Sequence, residues 1–473
     1  VFSVLSVVKK KILFLHQCII RPFLMINTPN ENLNKFPIKI EIPGFVGFVL
    51  ERLDKMGFSS FVVGGAIRDQ FIGRTAIDWD IATDAVPDEI KSLFRDITHF
   101  ALKHETVTLV DSTTEYEVTS MRGIKGKKAD ILSDLAHRDF TINAMAYDAL
   151  KSIVLDPFYG ASDIKAKRIR AVIDPAERFK EDPLRMLRAV RIAGELGFEI
   201  DKNTFNAIPA LAPLITQVSN ERIRDELIKI LMCARPSGLL EMLQKFGLLE
   251  FIIPELLEGY GMGQNLCHRF TVFEHILDTV DNTPPDKILR LAALLHDIGK
   301  PRVRAEVEGK IHFYNHEAVS AKMAEEIMER LRFSREEIRK VTGLVLNHMV
   351  NYNLSWSDAA IRRLIRRAGI ENIIDLIALR RADIIAHGKN DDKLALINHL
   401  EERVDMMKHN TVINISDLAL DGKKVMAILS IGQCQKVGEA LEMLLDLVIE
   451  SPEMNTEEIL TEKLRELREK TAI

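Results

Sequence analysis

Asp78-Trp79-Asp80 sets two carboxylates two positions apart. On a strand such positions point to the same side, where like charges repel until a cation sits between them. Mg²⁺, which takes oxygen ligands and phosphate partners, is the natural one. Two such ions would activate an attacking hydroxyl and stabilise a departing pyrophosphate. A lone acidic pair of this kind is also common in surface turns. Thirteen residues before Asp78, Gly64-Gly65 closes an apolar run and opens Ala66-Ile67-Arg68-Asp69. The glycines permit a tight turn and close backbone approach, the following amides can face an anion such as a triphosphate, and Arg68 adds charge one turn on. A second set of chemistry-bearing residues comprises His275, His296-Asp297 and Asp383. Imidazole and carboxylate suit Zn, Mn, Ni, Co or Fe, and residue type alone does not choose among them.

The elements that must hold these groups follow from periodicity. Residues 43–57 carry a helical repeat, 61–63 a short apolar strand and 66–72 a helix. Strands are expected at 77–82, 106–110 and 115–120, where Val, Thr and Tyr are enriched, giving a mixed α/β region up to about residue 156. Strand signals then fade. Helical periodicity appears at 182–197, 220–233, 237–247, 272–280, 287–298, 316–331, 335–348, 358–368 and 371–386. Pro284-Pro285 is a breaker. From about 393, helices are separated by Asn410, Gly422 and Gly432. The fold class is therefore α+β, with a mixed head and an all-helical second half.

Over 473 residues, 64 Lys+Arg stand against 69 Asp+Glu, a formal charge of −5. This excludes a globally basic nucleic-acid wrapper, so any nucleic acid must be held by local patches. Cys18, Cys233, Cys267 and Cys434 form no CxxC pair, which points to a reducing, cytoplasmic setting without structural zinc. The stretch 1–24 is apolar but interrupted by Lys9, Lys10, Lys11 and Arg21, so it suits neither a membrane span nor a signal peptide. It reads either as a basic extension or as upstream sequence, with Met25 the expected start.

Taken in order, GGAIRD, DWDIATDA, HRDFTINAMA (137–146) and EDPLRMLRAVR (181–191) closely resemble the class II tRNA nucleotidyltransferases, the CCA-adding enzymes, and their poly(A) polymerase relatives, over about residues 40–260. The resemblance implies a polymerase-beta-type head in which Asp78 and Asp80 are catalytic and bind Mg²⁺. Gly64, Gly65 and Arg68 would hold nucleotide phosphates. Arg138, Asp139 and Asn143 would hold the nucleotide, Asp139 accepting from a ribose 2′-OH. The usual Arg-Arg-Asp is His137-Arg138-Asp139 here. Glu117 is a candidate third carboxylate. Asp182 and Arg185 match the pair that serves as an amino-acid template for the base. At i and i+3 they would share a helix face, and an acceptor beside a donor suits the amine and ring nitrogen of cytosine and adenine. Arg188 and Arg191 would continue that face toward phosphate. Asp182 before Pro183 also fits a helix cap. The implied substrates are CTP, ATP and tRNA, and the implied reaction is C and A addition to the tRNA 3′ end.

One departure bears on the product. Only fifteen residues separate Arg122 from Arg138, whereas the flexible loop of CCA-adding members is longer. A shortened loop is typical of the CC-adding subclass, which leaves the terminal A to a separate A-adding enzyme. Residues 101–108 look more like the tRNA enzymes than like poly(A) polymerase. A non-transferase alternative is an RNA-binding phosphohydrolase.

Residues 265–390 resemble the HD phosphohydrolase domain, and His316 and His348 then match the further ligands of its two-metal members, implying a second divalent transition metal. The tail resembles the carboxyl-terminal module of HD-containing tRNA nucleotidyltransferases, expected to engage tRNA. Candidate phosphate-holding clusters are Arg122/Lys125/Lys127/Lys128, Lys165/Lys167/Arg168/Arg170 and Arg362/Arg363/Arg366/Arg367. The expected domains are an extension (1–25), a head (26–156), a base-selecting helical neck (157–264), the HD domain (265–392) and a tRNA-binding tail (393–473). No membrane partner is expected.

Overall fold

The computed structural model describes residues 34–101, 105–123, 130–263, 270–388, 390–408 and 412–471. The proposed Met25 start, residues 102–104, Lys125, Lys127, Lys128, Asn410, Cys18 and Cys267 lie outside them. The chain divides into two compact units, meeting in sequence at Pro175 and Ala176.

The first unit is built on an eight-stranded sheet. Its strands are β1 (Lys35–Pro37), β2 (Ser60–Val63), β3 (Asp80–Thr83), β4 (Thr98–Ala101), β5 (Thr106–Asp111), β6 (Thr114–Ser120), β7 (Ala146–Asp148) and β8 (Ile153–Leu155). They lie in the order β1-β8-β7-β2-β3-β6-β5-β4. β3 and β6 pair in parallel, with Ile81 opposite Val118, and the other neighbours are antiparallel. The helix Gly44–Lys55 buries Val46, Val49, Leu50 and Leu53, an i, i+3, i+4, i+7 stripe, and packs on β2. Val63, Ala82, Leu135, Ala146 and Val172 form a further core cluster. This unit runs past 156 because the helix Gly160–Lys165 packs on the turn Thr141–Asn143 and on the helix Gly65–Phe71.

The second unit is helical, as its periodicity demands. The helices Asn220–Leu231, Pro236–Lys245, Val272–Asp281, Lys287–Leu295, His316–Arg330, Arg335–Asn347, Asp358–Ala368 and Ile373–Ala386 fall on the periodic segments. Thr271 and Glu274 form a capping box that starts the helix carrying His275, and Asp286 caps the helix that delivers His296. The structure adds a hairpin that helical periodicity did not reveal: Ala305–Val307 pairs with Lys310–His312. Glu308 and Gly309 both have positive φ, the backbone a tight two-residue hairpin turn requires. The tail helices Gly422–Leu429, Gln435–Glu450 and Glu457–Thr471 enclose their own core of Leu420, Val425, Leu444, Val448, Leu460 and others. No described helix is long and apolar enough to cross a membrane.

Candidate functional sites

Asp80 opens β3 opposite Val63, the last residue of β2, so its carboxylate stands beside the Gly64 turn. A Cβ on Gly64 would lie 3.3 Å from Asp80 Oδ2 and 3.0 Å from Arg138 Nη1. Gly64 itself has φ +79°, a conformation that glycine adopts without strain. Asp78 lies just before the strand rather than on it, because the bridge to β2 begins only at Asp80. Alternation nevertheless reaches back: Trp79 is buried, and Asp78 is exposed. The parallel register brings Glu117 alongside. Burial first, then the charges of Asp80 and Asp78, raise its carboxyl above the ordinary value. Three acidic groups that repel one another make a set suited to a divalent cation.

The other head residues form one polar network. Arg68 donates from Nη1 to Asn143 Oδ1 at 2.8 Å and from Nε and Nη2 to Asp69 Oδ1. Asn143 Nδ2 donates to Asp139 Oδ1 at 3.1 Å, an oxygen that also accepts from Phe140 N. Arg138 is held by Asp134, a buried partner that sequence reasoning did not name. Its i, i+4 spacing was the available signal. His137 Nδ1 contacts the Ser133 carbonyl.

In the second unit, Asp182 and Arg185 do not share a helix. The helix Pro175–Glu181 ends before Asp182, and the next begins at Arg185. Pro183 has no N–H and disfavours helical geometry at the residue before it. Asp182 accepts from Leu184 N and pairs in bidentate fashion with Arg222, at 2.9 and 3.2 Å. Arg185 is buried and donates to Glu181 and to the Arg178 carbonyl. Arg188 lies half-buried on the helix Arg185–Leu196. Arg191, expected to serve phosphate, has its guanidinium held between Glu226 (2.5 Å) and Glu195 (2.7 Å).

The arginines Arg362, Arg363 and Arg366 of another candidate cluster are likewise engaged within the protein. Arg362 donates to the carbonyls of Ile449 and Glu450, Arg363 pairs with Glu450, and Arg366 with Glu442 and Asp446. These arginines fasten the helix Asp358–Ala368 to the end of Gln435–Glu450. Arg170 likewise serves the buried Asp163 and the Phe158 carbonyl, while Lys165, Lys167 and Arg168 are exposed.

All six expected HD residues converge, and all are buried. His275 Nε2 lies 3.2 Å from Asp297 Oδ2 and 3.1 Å from Asp383 Oδ1. His296 Nε2 is 3.2 Å from Asp297 Oδ2, and His316 Nε2 is 3.2 Å from Asp297 Oδ1. Asp297 thus joins two groups, His275/His296 and His316/His348. The Nδ1 atoms of His296, His316 and His348 each meet a backbone carbonyl, of Ala293, Phe313 and Val345, at 2.7–2.8 Å. Those carbonyls only accept, so Nδ1 carries a proton, and in the neutral ring Nε2 presents a lone pair. His316 and His348 then bring two such lone pairs within 3.3 Å. Oδ1 of Asp297 and Oδ1 of Asp383 are buried without a well-aligned protein hydrogen bond, while Oδ2 of Asp297 meets Lys300. Converging lone pairs on a buried carboxylate are the donor set of divalent cations. Burial opposes charge on His296, yet Asp297 and Asp383 pull it up to about 10, whereas burial and His296 push His348 down to about 3. The two carboxylates therefore demand positive charge at this spot.

Sequence reasoning missed three neighbours. His387 Nδ1 is 3.0 Å from Asp383 Oδ1, Arg380 Nη1 is 2.5 Å from Asp383 Oδ2, and Lys300 Nζ is 2.5 Å from Asp297 Oδ2. Spacings of three and four from the aspartates were the signal. The cluster floors a cavity of about 590 Å³ lined also by His312, Phe313, Asn351, Asn390 and Lys393.

With this geometry in place, comparison with known proteins is informative. Residues 60–170 match the Poly A polymerase head domain, 197–259 the probable RNA and SrmB-binding site of polymerase A, and 266–388 the HD domain. A CCA-adding enzyme of Leuconostoc mesenteroides is 38% identical over 48% of this chain and 61% of its own length. The chain spans between about half and three-fifths of the first curated relatives it matches (52–61%). An A-adding tRNA nucleotidyltransferase of Deinococcus radiodurans is 31% identical over 81% of this chain and 90% of its own. The crystal structure of the Bacillus stearothermophilus CCA-adding enzyme in complex with CTP superposes with a TM-score of 0.70 at 25% identity, covering 91% of this chain and 99% of that one.

Proposed function

The chain belongs to the tRNA nucleotidyltransferase family, and from that premise we propose that it adds C and A to the 3′ end of tRNA from CTP and ATP. The tRNA 3′-hydroxyl attacks the α-phosphorus, a new P–O bond forms, and the bond to pyrophosphate breaks. The observation that carries this reading is the acidic cluster of Asp80 and Glu117 with Asp78, set against the Gly64 turn and Arg138. Mg²⁺ held by Asp78 and Asp80 would supply Lewis-acid stabilisation of the attacking and leaving oxygens. Arg68 and Arg138 bring positive charge toward the triphosphate, while Asn143 orients Asp139 for a ribose hydroxyl. Asp182 and Arg185 are our candidates for base selection, which requires Asp182 to exchange Arg222 for the base. Asp78→Ala is expected to abolish pyrophosphate release with CTP and a tRNA lacking its 3′ end, while tRNA still binds. A variant with wild-type release would refute the assignment. No release by the unsubstituted protein would instead favour an RNA-binding phosphohydrolase.

A second reading of the product, CC only, rests on the fifteen residues between Arg122 and Arg138, of which 124–129 lie outside the described residues. Sequencing the tRNA product formed with CTP and ATP separates the two: a terminal A excludes CC addition.

We also propose that the HD cluster hydrolyses a phosphoester. His275, His296, Asp297, His316, His348 and Asp383 would hold the metal, which supplies an activated water for attack on phosphorus. Lys300, Arg380 and Lys393 line the cleft with positive charge. Hydrolysis of a 2′,3′-cyclic phosphodiester, with metal analysis, tests this activity. An inert, metal-free protein would exclude it.

A further inference from the structure

We infer that the hairpin Ala305–His312 and the residues after it form a nucleobase-stacking platform at the rim of the HD cleft. The inference rests on the phosphoester reading above and names the substrate class as base-bearing.

The rings of His312 and Tyr314 lie nearly parallel, 5° apart, with centroids separated by 5.1 Å. Tyr314 is 60% exposed, although its ring would gain from burial. His312 and Phe313 both line the cavity that Asp297, His316, His348 and Asp383 floor. The platform is also tied to that floor. The carbonyl of Phe313 meets Nδ1 of His316 at 2.8 Å, and Lys300 Nζ, the cation beside Asp297, lies 5.7 Å from the Phe313 ring centroid. A flat aromatic pair with Tyr314 on the solvent side thus stands at a fixed place beside a phosphate-handling centre.

The rest of the lining fits a nucleotide. Asn351 offers an amide, which can both donate to and accept from a base edge; Asn390, whose Oδ1 caps the helix at Lys393 N, offers its Nδ2, and Lys393 is an exposed cation. A cavity of about 590 Å³ is within the size that accommodates a small organic ligand. Stacking tolerates any base because each has a π-face. The platform therefore predicts preference for nucleotides over baseless phosphoesters, with weak discrimination among bases.

The test compares adenosine 2′,3′-cyclic phosphate with glycerol 1,2-cyclic phosphate, which has the same cyclic ester and no base. Tyr314→Ala is expected to shift the ratio of their KM values on the order of tenfold against the nucleotide, and Tyr314→Phe to restore it. Equal effects of Tyr314→Ala on both substrates, or no effect on either, would overturn the platform. If the wild type hydrolyses neither substrate, the phosphoester reading fails. Calorimetric binding of adenosine monophosphate then decides the platform by itself. Weaker binding by Tyr314→Ala supports it, and unchanged binding or none overturns it.

Discussion

Replacing Gly64 by alanine tests whether the turn after β2 is built around the reacting groups. Two effects add. The backbone sits at φ +79°, ψ −140°, a region closed to residues with a Cβ except under strain of about 1–3 kcal/mol. The new methyl would also stand 3.0 Å from Arg138 Nη1 and 3.3 Å from Asp80 Oδ2, so at least one must yield by a few tenths of an ångström. Misplacement of about 1 Å near the chemistry costs on the order of 100-fold. The smaller shift here is expected to lower kcat/KM roughly 10- to 100-fold, about 1.4–2.7 kcal/mol of barrier. Gly73 provides the control: φ is +71°, and nothing lies within 4 Å of its added Cβ. Gly73→Ala should lose about 1–2 kcal/mol of stability through strain alone and transfer at the wild-type rate. Pyrophosphate release with CTP and a truncated tRNA reads the first quantity, and urea midpoints read the second. Wild-type transfer by Gly64→Ala would refute the argument. So would equal loss in both variants, since strain rather than contact would then be the cause.

Three further outcomes follow from other parts of the molecule. Asp297→Asn should strip bound transition metal, measured by elemental analysis, and cyclic phosphodiester hydrolysis should fall by about 100-fold or more; a chelator should lower the melting temperature of the wild type but not of the variant. Arg362→Ala removes donors from the Ile449 and Glu450 carbonyls and should cost about 1–3 kcal/mol without changing the salt slope of tRNA binding, because this arginine serves the protein rather than phosphate. Glu255 is held below the ordinary carboxylate range. Burial works against this, but the Arg330 bond prevails. A depressed folded-state pKa gives stability that is present above the unfolded value of 4.5 and lost as pH falls through the folded one. Arg330 is 40% exposed, so screening limits Glu255→Gln to about 0.5–1.5 kcal/mol at pH 7. The difference in urea midpoint should shrink below pH 4.

Much of this was legible before any coordinates. The helices of the second unit fall where apolar residues recur at helical spacing, and β2, β5 and β6 where branched residues cluster. The head motifs lie close in sequence to the turns that shape them: Gly64 follows β2 directly, and Asn143 is four residues from Asp139. The HD residues were legible for another reason. The ordered set His275, His296-Asp297, His316, His348 and Asp383 resembles that of the HD domain, although their burial was not legible.

Other features depended on partners remote in the chain. Arg362, Arg363, Arg366 and Arg191 read as basic faces, yet they meet carbonyls and carboxylates 35 to 88 residues away, Arg191 also meeting Glu195 four residues on. The hairpin at 305–312 was hidden because three-residue strands carry no clear period. Asp182 and Arg185 seemed to share a helix face until Pro183 divided them. Local sequence determined which groups can titrate, donate or bind a cation, and where helices run, because these properties belong to a residue and its near neighbours. Tertiary structure alone decided which charges pair across the chain and which converge on one point, because electrostatic pairing acts through distances that chain position does not encode.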